Sequence, residues 1–292
     1  MWQAQRVVEN LENAGVATTL VPVKSAADLD LQTPLHAFGE VGIFTKMLDV
    51  ALYEDQIDLA VHSLKDYPTT IPEDLILPAV LPRGAHQDVL IPRESTAFMD
   101  DARGEATVAT GSIRRIAQWK YHFPRHSMAP LRGNVQTRLR KLEESSWQGA
   151  IFAQAGLARV NLLPRNYVAL DWMLPAPAQG TVGIICRRGD QKIVKQLQAI
   201  NDPATSTRIQ AERAFLNEVE GGCSAPVGAF AEIRSGNISL EAAVFELDGS
   251  KRYFRQVSAP VEQAEKLGRE TARQALAAGA DRVMEKLRHG NQ

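Results

Sequence analysis

The chain has 292 residues, of which 45% are hydrophobic and 23% are charged, and its formal net charge is −1. This composition predicts a globular protein of about two or three domains, and it excludes both a disordered chain and a protein whose whole surface binds nucleic acid. The sequence has no apolar run that would span a membrane, no recognisable signal peptide and too few cysteines for a disulfide framework, so we expect a cytoplasmic protein.

The first predicted elements alternate between helix and strand. Apolar residues at helical spacing predict a helix from Trp2 that stops at Gly15, followed by a strand over residues 16–23. A second helix is predicted over residues 44–52, and it leads into a short apolar strand over residues 57–61.

A polar segment, His62-Ser63-Leu64-Lys65-Asp66, follows this strand at its carboxyl end. Open α/β sheets bind ligands at that end, so we expect these side chains to face a cleft. Strand alternation indicates that one of His62 and Ser63 is buried. Asp66 is held at a fixed strand exit, where its carboxylate can stabilise a cationic intermediate or accept a hydrogen bond from a ring N–H.

The alternation of strand and helix continues along the chain. The predicted strands cover residues 106–110, 129–131 and 149–154, and the helices after them begin at Ser112, Asn134 and Gly156. The segment Pro175–Gly180 then breaks the pattern and predicts a crossover and hinge before a buried strand over residues 182–186.

The last third of the chain has a different pattern. An amphipathic helix is predicted from Pro203 to residue 219. Strands separated by turns at residues 235–237 and 248–250 follow, and the chain ends in helices from Val261. This segment is predicted to be a separate, smaller α+β domain.

The segment from residue 111 to residue 141 is strongly basic and contains no Asp or Glu. Its cationic residues are Arg114, Arg115, Lys120, Arg125, Arg132, Arg138, Arg140 and Lys141. Arginine pairs bidentately with carboxylates and phosphates, and helix N-termini at Ser112 and Asn134 add backbone donors, so we expect a multiply anionic partner. The alternative is a solvated helix face, although such faces usually mix charges of both signs.

The two cysteines differ in their surroundings. Cys186 lies in an apolar run and is expected to be a buried structural residue, whereas Cys223 lies in a glycine-rich loop over residues 220–228 and looks chemically available. The alternative for Cys223 is a free thiol in a tight turn. No metal-binding constellation and no glycine-rich nucleotide loop is predicted.

Four motifs together resemble the porphobilinogen deaminase family, also called hydroxymethylbilane synthase. They are Val61-His62-Ser63-Leu64-Lys65-Asp66, Thr110-Gly111-Ser112-Ile113-Arg114-Arg115, Leu131-Arg132-Gly133-Asn134-Val135-Gln136-Thr137-Arg138 and Glu220-Gly221-Gly222-Cys223. Shorter matches at Trp2-Gln3-Ala4, Ala155-Gly156-Leu157, Gln179-Gly180 and Ala211-Glu212-Arg213-Ala214 make the resemblance ordered and nearly chain-long.

The resemblance implies a transferase of tetrapyrrole and haem biosynthesis. Such an enzyme carries a dipyrromethane cofactor as a thioether on a cysteine, here Cys223, and adds four porphobilinogen units to it with loss of ammonia. Hydrolysis then releases the linear product, hydroxymethylbilane. Asp66 would be the catalytic carboxylate, stabilising pyrrole N–H groups and the cation that forms when ammonia leaves.

The resemblance also assigns the binding residues. The cofactor would be held by Cys223, Lys65, Ser112, Arg114, Arg115, Arg132 and Arg138, and the substrate by Arg159, Gln3 and Phe44. No metal is implied. The expected partner is the small molecule porphobilinogen, without nucleic acid or membrane, and the protein is expected to be a monomer.

The implied fold is α/β, with two doubly wound, periplasmic-binding-protein-like domains and a smaller C-terminal α+β domain. Domain 1 would comprise residues 1–82 and 181–199 and carry the catalytic carboxylate. Domain 2 would comprise residues 87–176 and bind anions, and domain 3 would comprise residues 203–292 and carry Cys223.

Two departures from the family pattern bear on activity. The family has a strand and a loop with an Arg and a Ser ahead of the Trp-Gln-Ala helix, whereas this sequence starts at Met1-Trp2, so we expect either a start assigned too late or a truncated relative with a weakened first domain. In the mobile loop, Gly39-Glu40-Val41-Gly42 stands where the family tends to carry Gly-Gly-Lys-Gly, which predicts altered loop function.

Three alternatives remain open at this point. The first is that the chain is an impaired or inactive family member. The second is that it is a nonenzymatic two-domain protein that closes around carboxylates or oxyanions. The third is a nucleic-acid binder, favoured by Trp119, Tyr121 and Phe123 within the basic segment but weakened by the net charge of −1.

Overall fold

The computed structural model describes residues 1–23, 43–101, 104–219 and 225–290. It divides into two compact units: unit 1 comprises residues 1–84 and 180–209, and unit 2 comprises residues 85–179 and 210–292.

Unit 1 is built on a three-stranded sheet. Its elements in chain order are α1 (Trp2–Asn13), α2 (Ile43–Tyr53), β1 (Leu59–Ser63), β2 (Leu75–Val80), β8 (Val182–Arg187) and α6 (Gln191–Gln198). The strands β3 to β7 and the helices α3 to α5 lie between β2 and β8 in the chain and belong to unit 2. The strand order is β1-β8-β2, and β8 pairs antiparallel with both neighbours.

Helices cover both faces of this sheet. Val7 and Leu11 of α1 and Leu197 of α6 pack with Ile184 on one face. Arg187 points to the opposite face, because side chains alternate along a strand, and its Nη1 donates to the carbonyl oxygen of Leu52 in α2 at 2.6 Å. Burial of both faces explains the apolar composition of β8.

Unit 2 contains two sheets. The elements of the first are β3 (Asp88–Pro92), β4 (Thr107–Ala109), α3 (Ile113–His122), β5 (Ser127–Ala129), α4 (Val135–Glu143), β6 (Gly149–Ala153), α5 (Gln154–Ala158) and β7 (Val168–Ala169). The strand order is β5-β4-β6-β3-β7; β4, β5 and β6 are parallel, and β3 is antiparallel to β6 and β7.

This sheet is also covered on both faces. Val89 and Phe152 pack against Leu157 of α5 on one face. Their neighbours in the same two strands, Leu90 and Ile151, point the opposite way and pack with α3 on the other face. Helices on both faces of a mixed sheet are what the predicted doubly wound arrangement requires.

The second sheet of unit 2 forms the C-terminal part of the chain. Its elements are α7 (Pro203–Glu218, which begins in unit 1), β9 (Val227–Arg234), β10 (Asn237–Phe245), β11 (Arg252–Pro260), α8 (Ala264–Ala275) and α9 (Asp281–Gly290). The order β11-β10-β9 is antiparallel throughout, and one face packs against Phe215, Leu267 and Val283 of the three helices. The predicted class, α/β with a smaller C-terminal α+β domain, is confirmed.

Most predicted helices and strands are present, with ends shifted by about three residues at most. The predicted strand over residues 16–23 is wrong: this segment forms no regular element, and Leu20 and Val21 are exposed. An apolar segment becomes a strand only when a partner accepts its backbone hydrogen bonds, and no strand in the described ranges pairs with it. The patterns also failed to indicate β2, β3, β7 and α6.

Each predicted domain contains one of the three sheets, but the domain boundaries themselves stay a prediction. In the parts of the chain that the structure describes, no helix combines the length and the apolar character needed to cross a bilayer.

Candidate active site

The first polar motif forms a tight turn at the end of β1. The strand ends at Ser63, and residues Leu64–Asp66 make a single 3₁₀ turn anchored by the buried side chain of Leu64. Gln3 of α1 donates from its Nε2 to Ser63 Oγ at 2.8 Å. Lys65 is half-buried, and Asp66 is exposed with no hydrogen bond or ion pair among the described residues. The carboxylate is therefore presented on a rigid turn.

Buried side chains pack next to this turn and stabilise it. Tyr67 is 2% exposed, its hydroxyl donates to Asp49 Oδ1 at 3.2 Å, and its ring lies 4.7 Å from the ring of His62. Burial raises the pKa of Asp49, and the hydrogen bond from Tyr67 works against that rise. His62 is buried and Ser63 is not, so the predicted alternation is confirmed.

His62 should make the protein less stable in acid. Burial lowers its pKa to about 4, and its Nε2 has no hydrogen-bond partner within the part of the chain that the structure describes. Because the unfolded chain has a His pKa of about 6.5, unfolding takes up a proton between these two values, and stability falls as the pH drops from about 6.5 to 4. Titration of His62 lowers the free energy of unfolding by about 3 kcal/mol in total, and this loss is constant below pH 4.

Urea unfolding at a series of pH values measures this effect. His62→Phe keeps an aromatic ring of similar size without a titrating group, so the difference in unfolding free energy between wild type and variant should change over that pH range. A difference that stays constant from pH 7 to pH 4 contradicts the assignment.

The arginine-bearing motifs lie at one edge of the first sheet of unit 2. Because β4, β5 and β6 are parallel, their carboxyl ends share that edge. The segments that follow them carry Arg114, Arg115, Arg132, Arg138 and Arg159. The sheet thus places at one edge the segments that carry residues up to 45 positions apart in the chain.

Backbone geometry fixes these segments. Gly133 has a φ of 114°, which favours glycine, and its carbonyl oxygen accepts from Arg138 Nε at 2.7 Å. Asn134 caps α4 by accepting from the backbone N–H of Thr137 at 2.8 Å. Ser112 begins α3, but its side chain makes no capping hydrogen bond, so the first backbone N–H groups of α3 have no side-chain cap.

Gly111 is required because the two segments touch. A Cβ at this position would lie 2.6 Å from the carbonyl oxygen of Leu131, and a backbone atom cannot move away cheaply. We expect Gly111→Ala to destabilise the protein by about 1–3 kcal/mol. Gly156→Ala is the control, because its Cβ would meet nothing within 4 Å and alanine favours the helix. Thermal unfolding of both variants checks this; equal melting temperatures would contradict it.

Two of the predicted arginines are buried around one carboxylate. Asp88, at the start of β3, pairs with Ala153 at the end of β6 and is completely buried. Arg114 Nη1 lies 2.6 Å from Asp88 Oδ2, and Arg115 Nη2 lies 2.8 Å from Oδ1. Burial acts to raise the pKa of Asp88, but the charges of Arg114 and Arg115 outweigh it and hold that pKa well below its usual range.

These two ion pairs give the basic segment an acidic partner that the sequence did not indicate. The basic segment contains no Asp or Glu, but Asp88 supplies an acidic partner from a strand earlier in the chain. Arg114 and Arg115 are therefore not part of a solvated helix face, since they are only 5% and 6% exposed. Arg132 is exposed, and Arg138 and Arg159 are half-buried.

Both halves of the chain match family models. Residues 1–195 match "Porphobilinogen deaminase, dipyromethane cofactor binding domain", and residues 206–277 match "Porphobilinogen deaminase, C-terminal domain". The chain belongs to the porphobilinogen deaminase family. The resemblance carried by the four motifs is thus confirmed.

Curated relatives agree over nearly the whole chain. Porphobilinogen deaminase of Syntrophotalea carbinolica is 39% identical over 98% of this chain and 92% of its own. The same enzyme of Moorella thermoacetica is 38% identical over 98% and 93%. Among solved structures, the BvgS VFT2 domain of Bordetella pertussis is 15% identical over 73% of this chain and 82% of its own, with a TM-score of 0.41.

Some predicted positions of this porphobilinogen deaminase chain lie outside the described residues. They are Cys223 with its loop from residue 220 to residue 224, the loop Gly39-Glu40-Val41-Gly42, and the side chain of Phe44, whose backbone belongs to α2. Cys186 is described: it is completely buried, and burial, followed by the charge of Asp190, raises its thiol pKa to about 11. The expectation of a buried Cys186 is confirmed.

The histidines within the described ranges do not form a metal centre. His122 and His126 are four residues apart, a spacing that suits two ligands on one helix, but α3 ends at His122. His126 lies instead in an aromatic cluster, where its Nδ1 accepts from Trp119 Nε1 at 3.2 Å.

Proposed function

We propose that this chain is a hydroxymethylbilane synthase that joins four porphobilinogen molecules on a dipyrromethane held by Cys223, with Asp66 as its catalytic carboxylate. The observation that carries the proposal is the charge of the buried cluster in unit 2. Asp88 contributes one negative charge, and Arg114 and Arg115 contribute two positive charges. Within this cluster one buried positive charge therefore lacks a matching negative charge, which the carboxylate of a ligand would supply.

The chain's residues fit a polycarboxylate such as dipyrromethane. The arginine cluster, the uncapped N-terminus of α3 at Ser112 and the cations at the same sheet edge suit its acetate and propionate groups. When bound, the cofactor supplies the first nucleophilic pyrrole carbon. We propose that Lys65, Ser112, Arg114, Arg115, Arg132 and Arg138 hold it, and that Arg159, Gln3 and Phe44 contact porphobilinogen.

Asp66 has the properties that the ammonia-loss step needs. The C–N bond of the protonated aminomethyl group breaks, its electron pair leaves with nitrogen as ammonia, and the positive charge remains on the substrate's methylene and ring nitrogen. The methylene carbon then bonds to a pyrrole α-carbon, which gives up a proton. An exposed carboxylate on a fixed turn can accept a hydrogen bond from the ring N–H and stabilise that charge.

Cys223 is supported as the anchor by the state of the other cysteine. The sequence has two cysteines, and a fully buried thiol with a pKa of about 11 is a poor nucleophile at neutral pH. A nonenzymatic anion-binding protein would use the same arginines but needs no covalent anchor.

Two measurements on the purified protein test the proposal. The intact mass of the denatured chain should exceed the polypeptide mass by two linked pyrroles, and incubation with porphobilinogen should release four ammonia molecules for each linear tetrapyrrole. A bare polypeptide mass with no tetrapyrrole formed would overturn it and favour the impaired relative. An anion-binding protein would bind porphobilinogen without releasing ammonia.

We further propose a cytoplasmic monomer without nucleic-acid or membrane partners, divided into domains at the predicted boundaries. The net charge of −1 supports the absence of a polyanionic partner. Light scattering in solution tests the monomer, and limited proteolysis tests the boundaries near residues 82–87 and 199–203.

A further inference from the structure

Asp88 is the centre of a hydrogen-bonded cluster that the assigned roles leave out. Its Oδ2 accepts from Arg114 Nη1, and its Oδ1 accepts from Arg115 Nε at 3.1 Å and Nη2 at 2.8 Å. Gln179 Nε2 also donates to Oδ1, at 3.0 Å. Asp88 itself is completely buried, so it cannot touch a substrate in this arrangement.

The two guanidinium groups keep donors beyond those that the protein uses. Arg114 uses its Nη1 for Asp88 and for the carbonyl oxygen of Leu174, which leaves its Nε and Nη2 without a partner among the described residues. Arg115 donates once each from Nε, Nη1 and Nη2, the Nη1 bond going to the carbonyl oxygen of Ile151. Each Nη carries two N–H groups, so one remains on each Nη of Arg115.

Asp88 thereby removes the rotational freedom of both arginines. A long arginine side chain loses rotamer entropy when it binds a ligand, and a guanidinium already held along one edge has lost it before the ligand arrives. The planar fork of arginine binds a carboxylate well only in a narrow range of orientations.

We propose that Asp88 is a positioning residue for this enzyme, which orients Arg114 and Arg115 so that their remaining N–H groups bind the carboxylates of the pyrrole chain. The proposal rests on the proposed function. It differs from a purely electrostatic role, because removal of the Asp88 charge would make the cluster more positive and would tighten anion binding if charge alone mattered.

Asp88→Asn is the test variant, and Glu212→Gln is its matched control. Glu212 is also a completely buried carboxylate of unit 2, and it accepts from the backbone N–H of Ala178 at 2.7 Å and of Ala231 at 2.8 Å. None of its described hydrogen bonds involves Arg114 or Arg115. Both variants lose the charge of a buried carboxylate, but only Asp88→Asn releases the arginines.

Three readouts separate the roles: melting temperature, the fraction of purified protein that carries the pyrrole adduct by intact mass, and kcat and KM for porphobilinogen. We expect Asp88→Asn to lower the adduct-carrying fraction and kcat/KM about tenfold, whereas Glu212→Gln keeps both near wild type. Equal losses in the two variants would reduce Asp88 to a structural role, and a lower KM in Asp88→Asn would show a charge effect; either result overturns the proposal.

Gln179→Met covers the case in which Asp88→Asn does not fold. It removes the hydrogen bonds that Gln179 Nε2 donates to Asp88 Oδ1 and to the carbonyl oxygen of His86, and it leaves the charges of the cluster unchanged. The loss of two hydrogen bonds from a buried side chain lowers the melting temperature, so the comparison is with Glu212→Gln. A raised KM or an adduct fraction below that of Glu212→Gln supports positioning, and wild-type values for both contradict it. If wild type itself forms no tetrapyrrole, the proposed function fails, while the adduct fraction still reports on Asp88.

Discussion

Asp66→Asn should abolish bilane formation and leave the folded structure intact. The substitution keeps the size of the side chain and removes its negative charge. Since Asp66 is exposed and has no described partner, folding loses no interaction. The cation formed on ammonia loss loses its stabilising charge, and we expect kcat to fall at least about 10²- to 10³-fold, as it does when one preorganised electrostatic contact is removed.

Ammonia release and tetrapyrrole formation measure the loss, and thermal unfolding verifies the fold. Glu73→Gln is the control, because Glu73 is another exposed carboxylate of unit 1 and lies outside the turn at residues 64–66. It should retain wild-type kcat. Normal bilane production by Asp66→Asn would remove Asp66 from the mechanism.

Cys223→Ser should give a protein that lacks the pyrrole adduct entirely. A serine hydroxyl does not ionise near neutral pH and cannot replace a thiolate as the nucleophile that forms the linkage. The intact mass of the denatured variant should equal that of the bare chain, and turnover should be absent.

Cys186→Ser is the matched variant for the other thiol. Because Cys186 is completely buried in the core of unit 1, we expect a loss of stability of about 1–3 kcal/mol with the adduct still present. An adduct that persists in Cys223→Ser, or that disappears only in Cys186→Ser, would move the anchor away from Cys223.

The sequence anticipated the edge of the sheet that carries the arginines. Strand and helix alternate from residue 106 to residue 158, and parallel strands place the segments after them at one edge, so Arg114, Arg132 and Arg159 could be expected to lie near each other. The turn with Asp66 was likewise indicated by an apolar strand followed by polar residues.

Asp88 could not be found in the same way. Asp88 lies at the start of β3, and the antiparallel pairing of β3 with β6 places it beside the end of β6. No local sequence pattern indicates that β3 is a strand or that it runs antiparallel to β6. Sequence reasoning therefore identified the arginines but not the carboxylate that holds them. The strand predicted at residues 16–23 failed for a related reason, since pairing depends on a partner distant in the sequence.

The position of β8 at the centre of the unit 1 sheet sets an order of events during synthesis on the ribosome. β1 and β2 are synthesised early but do not hydrogen-bond to each other, because β8 lies between them in the sheet. β8 is complete only when the chain has been made as far as Arg187. At roughly 5–20 residues per second, the hundred or so residues between β2 and β8 take about 5–20 s to make. All strands of the first sheet of unit 2 emerge in that interval, so the sheet that begins first along the chain is the later of the two to close.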